Sequence, residues 1–187
     1  MINFTKRRKE MLADIEEQYL GIEQAQLDAL VDAILEAPRV FTAGWGRAGN
    51  IVRILGMNLV HLGKTVFCVG DNSTPAIEKG DLLIIFSASG NTKTITVLCE
   101  QAKHFGAKVA LISRGGTASA MGQLADLNVV IPPLSHCGRK AGCEPTECYG
   151  LTTYQTAFIV SDLIEEMIMD RTGQTLDDIW RHHNNLE

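Results

Sequence analysis

Long apolar runs are missing from this 187-residue chain, and no stretch approaches the roughly 18 consecutive apolar residues of a membrane span. The opening residues lack the apolar centre of a secretory leader, so no processing is expected. Excess positive charge is missing as well. Seventeen Lys and Arg stand against 22 Asp and Glu, a formal net charge of −5, which gives no reason to expect a nucleic-acid partner. The one basic run, Lys6-Arg7-Arg8-Lys9, is followed by Glu10, Asp14, Glu16 and Glu17 and reads as the polar face of a helix. Cysteines are few and odd in number: Cys68, Cys99, Cys137, Cys143 and Cys148 lack the density of a secreted disulfide scaffold, which makes the cytoplasm the expected compartment.

What is present is ordinary for a globular protein, with 45% hydrophobic and 21% charged residues in a length that suits one domain with a proper core. Five apolar runs stand out: Val40–Ala43, Val66–Val69, Leu82–Phe86, Val109–Ile112 and Leu127–Ile131. They are continuous rather than alternating, as strands covered on both faces should be. Residues 47–62, 91–105 and 118–125 between them carry helical spacing, with Ile95, Leu98, Ala102 and Phe105 as a stripe facing a sheet. Two helices lead in, about 5–20 and 22–36. A long one runs over Tyr149–Arg171, where Met167 packs, and a short one begins at Thr175, with Asp178 in the acidic third position of a capping box and Trp180 as a packing residue.

This alternation predicts an α/β fold: a five-stranded parallel sheet in the flavodoxin-like order 2-1-3-4-5, with helices on both faces. The expected plan is a helical lead-in at 1–37, an α/β core at 38–131, an irregular loop at 132–148 and C-terminal helices at 149–187. In that order the topological switch lies between the first and third strands. Their carboxyl ends carry the two most unusual loops of the chain, Gly44-Trp45-Gly46-Arg47-Ala48-Gly49 and Ser87-Ala88-Ser89-Gly90-Asn91-Thr92. Hydroxyls, a glycine that lets the backbone approach, and a helix starting near Asn91 make the second loop a candidate phosphate cradle, although an ordinary turn capped by Asn91 has the same composition. The first loop matches a dinucleotide fingerprint in part, with Asp71 ending the second strand, but such a site leaves the serine loop without a task.

Other residues allow two readings each. Arg47, in the first turn of a helix, is a surface charge or a contact to phosphate or sugar. Asp71 caps the Ser73–Ile77 turn or meets a sugar hydroxyl. His61 and His183 are helix-end imidazoles or proton-transfer groups. Ser135-His136-Cys137 with Cys143 and Cys148 lacks the paired short spacings of structural zinc, which favours a thiol-bearing loop over a metal site.

From about residue 39 to the C-terminus the chain resembles the sugar isomerase (SIS) domain family, and within it the 6-phospho-3-hexuloisomerases. The resemblance rests on Gly44–Gly49, Met57–Gly63, Val69–Ile77, Gly80–Ile84, Ser87–Thr92 and the ending His183-Asn184-Asn185-Leu186-Glu187. It implies interconversion of 3-hexulose 6-phosphate and fructose 6-phosphate through an enediolate, without cofactor or metal, in a homotetramer with sites near subunit interfaces. It also implies substrate contacts from Gly46, Arg47, Asp71, Ser87, Ser89, Gly90, Asn91 and Thr92, and proton transfer by His61 and His183. Two positions depart from the family pattern: Asn91 and Tyr154 stand where a glutamate is usual, so Glu147, or Glu144, becomes the expected base. The alternatives are an isomerase of another sugar phosphate, such as arabinose 5-phosphate, and a phosphosugar sensor without turnover.

Overall fold

Each apolar run becomes a strand in the computed structural model, which describes residues 3–135 and 151–186. The strands are β1 (Arg39–Ala43), β2 (Thr65–Cys68), β3 (Leu82–Phe86), β4 (Lys108–Ser113) and β5 (Leu127–Val130). All pair in parallel, in the order β2-β1-β3-β4-β5, so the expected topology holds. β3 is central and every one of its residues is buried, which is why its sequence shows no alternation.

Because successive side chains point to opposite faces, each strand feeds two cores. Val40, Leu82, Ile84, Phe86, Ala110, Ile112 and Val129 face one side. There they pack under α2 (Gln24–Glu36), α3 (Gly46–His61) and α6 (Leu151–Thr172). Phe41, Ala43, Leu83, Ile85, Val109 and Leu111 face the other side, covered by α4 (Lys93–His104) and the short α5 (Ala120–Leu124). The face under α4 buries Ile95, Cys99 and Ala102. Phe105 departs from the expected stripe: it follows the last residue of α4, is 52% exposed and lies edge-on to His104. Residues 118–125 also differ from one helix, dividing into a 3-10 turn at Gly116–Ala118 and α5, with Ser119 capping the latter through Gly122 N–H.

The lead-in helix α1 (Phe4–Leu20) is fixed by a polar contact. Buried Gln18 donates to Pro132 O and Thr153 Oγ1 and accepts from Thr156 Oγ1, tying α1 to α6. α7 (Leu176–His182) forms with the expected capping box between Thr175 and Asp178. It docks on the far end of α3, where Gln174 Nε2 donates to Leu62 O at 3.2 Å. Among the described residues no helix is long and apolar enough to cross a membrane.

Candidate functional site

Three turns meet at the carboxyl ends of β1, β3 and β4, where an open parallel sheet binds ligands. The turn after β3 is a continuation of the sheet folded back on itself. Ser87 N–H still bonds Ile112 O, Gly90 N–H closes on Ser87 O, and Arg114 N–H reaches back to Ala88 O, each at 3.1 Å. Gly90 is required there twice over. Its φ is +68°, and a Cβ on it would lie 2.2 Å from Ser119 Oγ.

Asn91 does not cap α4 as its composition suggested. The cap position is Thr92, with extended backbone, and no side chain bonds the first N–H groups of the helix. Asn91 is used across the turn instead. Its Nδ2 donates to Ser89 O at 3.0 Å, and its Oδ1 accepts from Ala120 N–H at 2.9 Å. A local cap was given up for a tertiary bond to α5, and the N-terminus of α4 is left uncapped. Ser89 Oγ is exposed and accepts from Asn91 N–H, while buried Ser87 Oγ lies 3.4 Å from Thr92 Oγ1. The resulting turn offers hydroxyls, an uncapped helix N-terminus and no charge of its own, the components of an oxyanion cradle.

The turn after β1 stands beside it. Gly49 packs so closely under the strand end that a Cβ would sit 2.5 Å from Gly44 O. That contact accounts for the fingerprint-like glycines without a dinucleotide. Gly46 opens α3 with open space around it. Trp45 Nε1 donates to Thr94 Oγ1 at 3.0 Å, joining the first turn of α4 to the β1 turn across the switch point. The sequence reading does not single out Trp45; the available signal was an aromatic set between two glycines of a loop, here 48% exposed.

Arg47 rests on Tyr154. Its guanidinium carbon is 4.5 Å from the ring centroid, a cation–π distance. The same ring stands edge-on to Phe86 at 5.7 Å, one residue before the serine turn. Arg47, Asn50, Ile51, Tyr154, Gln155 and Phe158 line a cleft of about 260 Å³ between α3 and α6.

Asp71 does not cap the following turn through its side chain. Its carboxylate pairs with Arg53 Nη2 at 2.7 Å, and the turn is closed by Thr74 N–H on Asp71 O. Both partners are about half exposed, so the pair adds little stability.

His61 and His183 are brought together, but not to this rim. Their rings stack at 4.8 Å and 26°, and Trp180 lies 5.1 Å from His183. His61 ends α3, whereas Gly46 begins it, and the 16-residue helix sets the two about 22 Å apart. Glu144 and Glu147 lie outside the described residues, as do His136, Cys137, Cys143 and Cys148. On α6, burial first, and then Asp162 and Glu166, raise the Glu165 carboxyl above its usual range. It sits about 16 Å along the helix from Tyr154 and cannot replace a rim carboxylate in the same chain. Burial pushes the Cys99 thiol up to about 11, which keeps it protonated and unreactive. Among the described residues no group of three or more His, Cys, Asp or Glu is placed to hold a metal ion.

Known proteins resemble this chain in sequence and in fold. The chain is 34% identical over 172 residues to a 3-hexulose-6-phosphate isomerase of Mycobacterium gastri, covering 89% of this chain and 82% of that one. It is 30% identical over 178 residues to the enzyme of the same name from Bacillus subtilis (strain 168), covering 95% and 96%. Among solved structures it superposes with a TM-score of 0.80 and 30% identity on a Methanococcus jannaschii protein, over 95% of this chain and 99% of that one. For that protein a molecular function of 3-hexulose-6-phosphate isomerase has been inferred. The SIS domain model matches residues 33–149, which include both switch-point turns, and the chain belongs to the SIS domain family.

Proposed function

We propose that the chain is a sugar-phosphate isomerase interconverting 3-hexulose 6-phosphate and fructose 6-phosphate. The observation that carries the reading is the uncapped, hydroxyl-lined turn at the switch point, in a chain whose relatives at 34% and 30% identity bear that name over most of their length. Ser87, Ser89 and Thr92 hydroxyls and the first N–H groups of α4 hold the phosphate, Gly90 admits it, and Asn91 fixes the turn. The sugar extends toward Gly46 and Arg47, with Asp71 at the margin through its pair with Arg53.

The reaction moves a carbonyl from C3 to C2. A base takes the proton from C2, the electron pair forms the C2–C3 enediolate, and an acid returns a proton to C3 while the hydroxyl proton passes from O2 to O3. Atoms and electrons balance without a cofactor. Glu147 is our choice of base. His61, at the far end of α3, and His183, stacked on it after α7, are too far from their own chain's cradle to reach its sugar and serve a neighbouring copy in a homotetramer.

A coupled assay for fructose 6-phosphate formation tests the reading. Ser89→Ala is expected to raise KM about tenfold, one hydrogen bond to a charged group, and Glu147→Gln to lower kcat by roughly 10²-fold or more. Unchanged affinity in Ser89→Ala removes the cradle. Tyr154, where the family pattern has glutamate, favours a second reading as a phosphosugar sensor. Binding without turnover across ketose and aldose phosphates would establish it, whereas turnover of arabinose 5-phosphate alone would change the substrate.

A further inference from the structure

The phosphate turn has no charged side chain, since Ser87, Ala88, Ser89, Gly90, Asn91 and Thr92 are all neutral. A phosphate monoester nevertheless brings a charge of about −1.5 to −2 at neutral pH. Hydrogen bonds from neutral hydroxyls position such a group, and bonds from a cation hold it roughly twice as strongly. Besides Arg47 on the β1 turn, Lys93 and Arg114 adjoin the turn, one by sequence and one by a backbone bond. Lys93 opens α4 and is exposed, where water screens it.

Arg114 is placed differently. It follows the last residue of β4, and its backbone N–H bonds Ala88 O, so its main chain is stitched to the second residue of the cradle. The neighbouring turn is rigid, with Gly116 N–H bonded to Ser113 Oγ at 3.0 Å. The Arg114 side chain is only partly exposed, and its Nε is shut off from solvent with no hydrogen-bond partner. Buried donors of a charged group are almost always satisfied, because leaving one unmade forfeits its hydration with nothing in exchange. The neighbouring Arg47 differs again, its guanidinium being laid on the Tyr154 ring. An orphaned Nε–H on a residue whose main chain is bonded to a neutral oxyanion cradle is therefore a cost that an anion reached by this side chain would offset.

We infer that Arg114 supplies the counter-charge for the substrate phosphate, donating from its guanidinium to a phosphate oxygen held in the Ser87–Thr92 turn. The inference rests on the reading of that turn as the phosphate cradle and adds to it a charged ligand from the adjacent strand. It also predicts a stability cost in the unliganded protein, since an apolar side chain of similar length at this position carries no unmade bond.

The test uses the full chain and two probes, inorganic phosphate and fructose 6-phosphate, titrated calorimetrically into wild type, Arg114→Met, Arg114→Lys, Ser89→Ala and Lys93→Ala. Arg114→Met is expected to weaken both probes at least tenfold, to flatten the salt dependence of binding, and to raise the Tm of the unliganded protein. Arg114→Lys, which keeps the charge and loses the Nε donor, should fall between. Lys93→Ala should stay within twofold of wild type. If Ser89→Ala weakens binding while Arg114→Met binds as wild type does, the cradle stands and the Arg114 assignment falls. If Ser89→Ala itself binds normally, the cradle falls and takes this assignment with it. Should Arg114→Met not fold, Arg114→Lys decides alone, and wild-type affinity in it overturns the proposal.

Discussion

At the carboxyl ends of β1, β3 and β4 the chain turns on glycines and hydroxyls, whereas at the other end of the sheet it gathers rings, with His61, His183 and Trp180 stacked where α7 meets α3. Among the described residues, the turns at the first end offer hydroxyls and a helix start without a side-chain cap, groups that do not titrate near neutral pH. The second end holds imidazoles, the side chains that do titrate there, and offers no anion cradle. One end of the molecule can bind a phosphate and the other can exchange protons. The length of α3 keeps the two apart within a chain, which is the ground for the proposal that a neighbouring copy's histidines complete the site.

The sharpest way to break that comparison is complementation. Assembled alone, His61→Ala should lose roughly 10²-fold or more in kcat/KM, the range for a missing acid–base group, and Ser89→Ala about tenfold, the range for one hydrogen bond to a charged group. Refolded together, they should recover activity, because an intact cradle from one chain then meets an intact histidine pair from another. The readout is specific activity as a function of mixing ratio. A flat response at the level of the separate variants would mean that each chain works with its own histidines, and the division between the two ends would be without functional content.

A smaller effect is expected at the Tyr154 ring, which belongs wholly to the rim. Tyr154→Leu removes the surface beneath Arg47 and the edge contact to Phe86. An exposed cation–π contact is worth about 0.5–1 kcal/mol, a change of roughly twofold to fivefold in kcat/KM. Tyr154→Phe keeps the ring and should match wild type. A large loss of kcat in Tyr154→Phe would instead assign proton transfer to its hydroxyl, and the rim would then be more than a binding end.

The two ends were not equally legible in the sequence. The rim turns could be read because their composition is unusual and because topology alone places them together. A continuous apolar run marks a buried parallel strand, and the order of five strands fixes where β1 and β3 diverge. Within the rim, local rules failed where a tertiary partner outbid the local one. Asn91 has every property of a helix cap, yet its amide is taken by Ser89 O and Ala120 N–H. Asp71 looked like a turn cap until Arg53, 18 positions earlier on α3, claimed its carboxylate. The ring cluster could be named residue by residue but not assembled, since His61 and His183 come from elements far apart in sequence and no periodicity links them. Arg114 had no signal at all, because an orphaned Nε is a property of packing.

The smallest expected effect concerns the ring end alone and separates it from the rim by pH. The Asp178 carboxylate is held below its usual range, first by the N–H of Thr175 and then by the Thr175 hydroxyl. A depressed folded value means that the contribution is fully present above the unfolded value near 3.8 and is lost as pH falls through the folded one. Acid should therefore loosen the start of α7, and with it the seat of Trp180 and His183, while the rim turns, built from hydroxyls and amides, have nothing to titrate. The chain has two tryptophans, one at each end, so single-tryptophan variants report on each separately. In Trp45→Phe, Trp180 emission should shift on acidification through this range, and Asp178→Asn should abolish that pH dependence. In Trp180→Phe, Trp45 should hold steady until global unfolding. A transition shared by both tryptophans at one pH would show the two ends to be a single cooperative unit, and the separation argued from α3 would then hold for distance but not for stability.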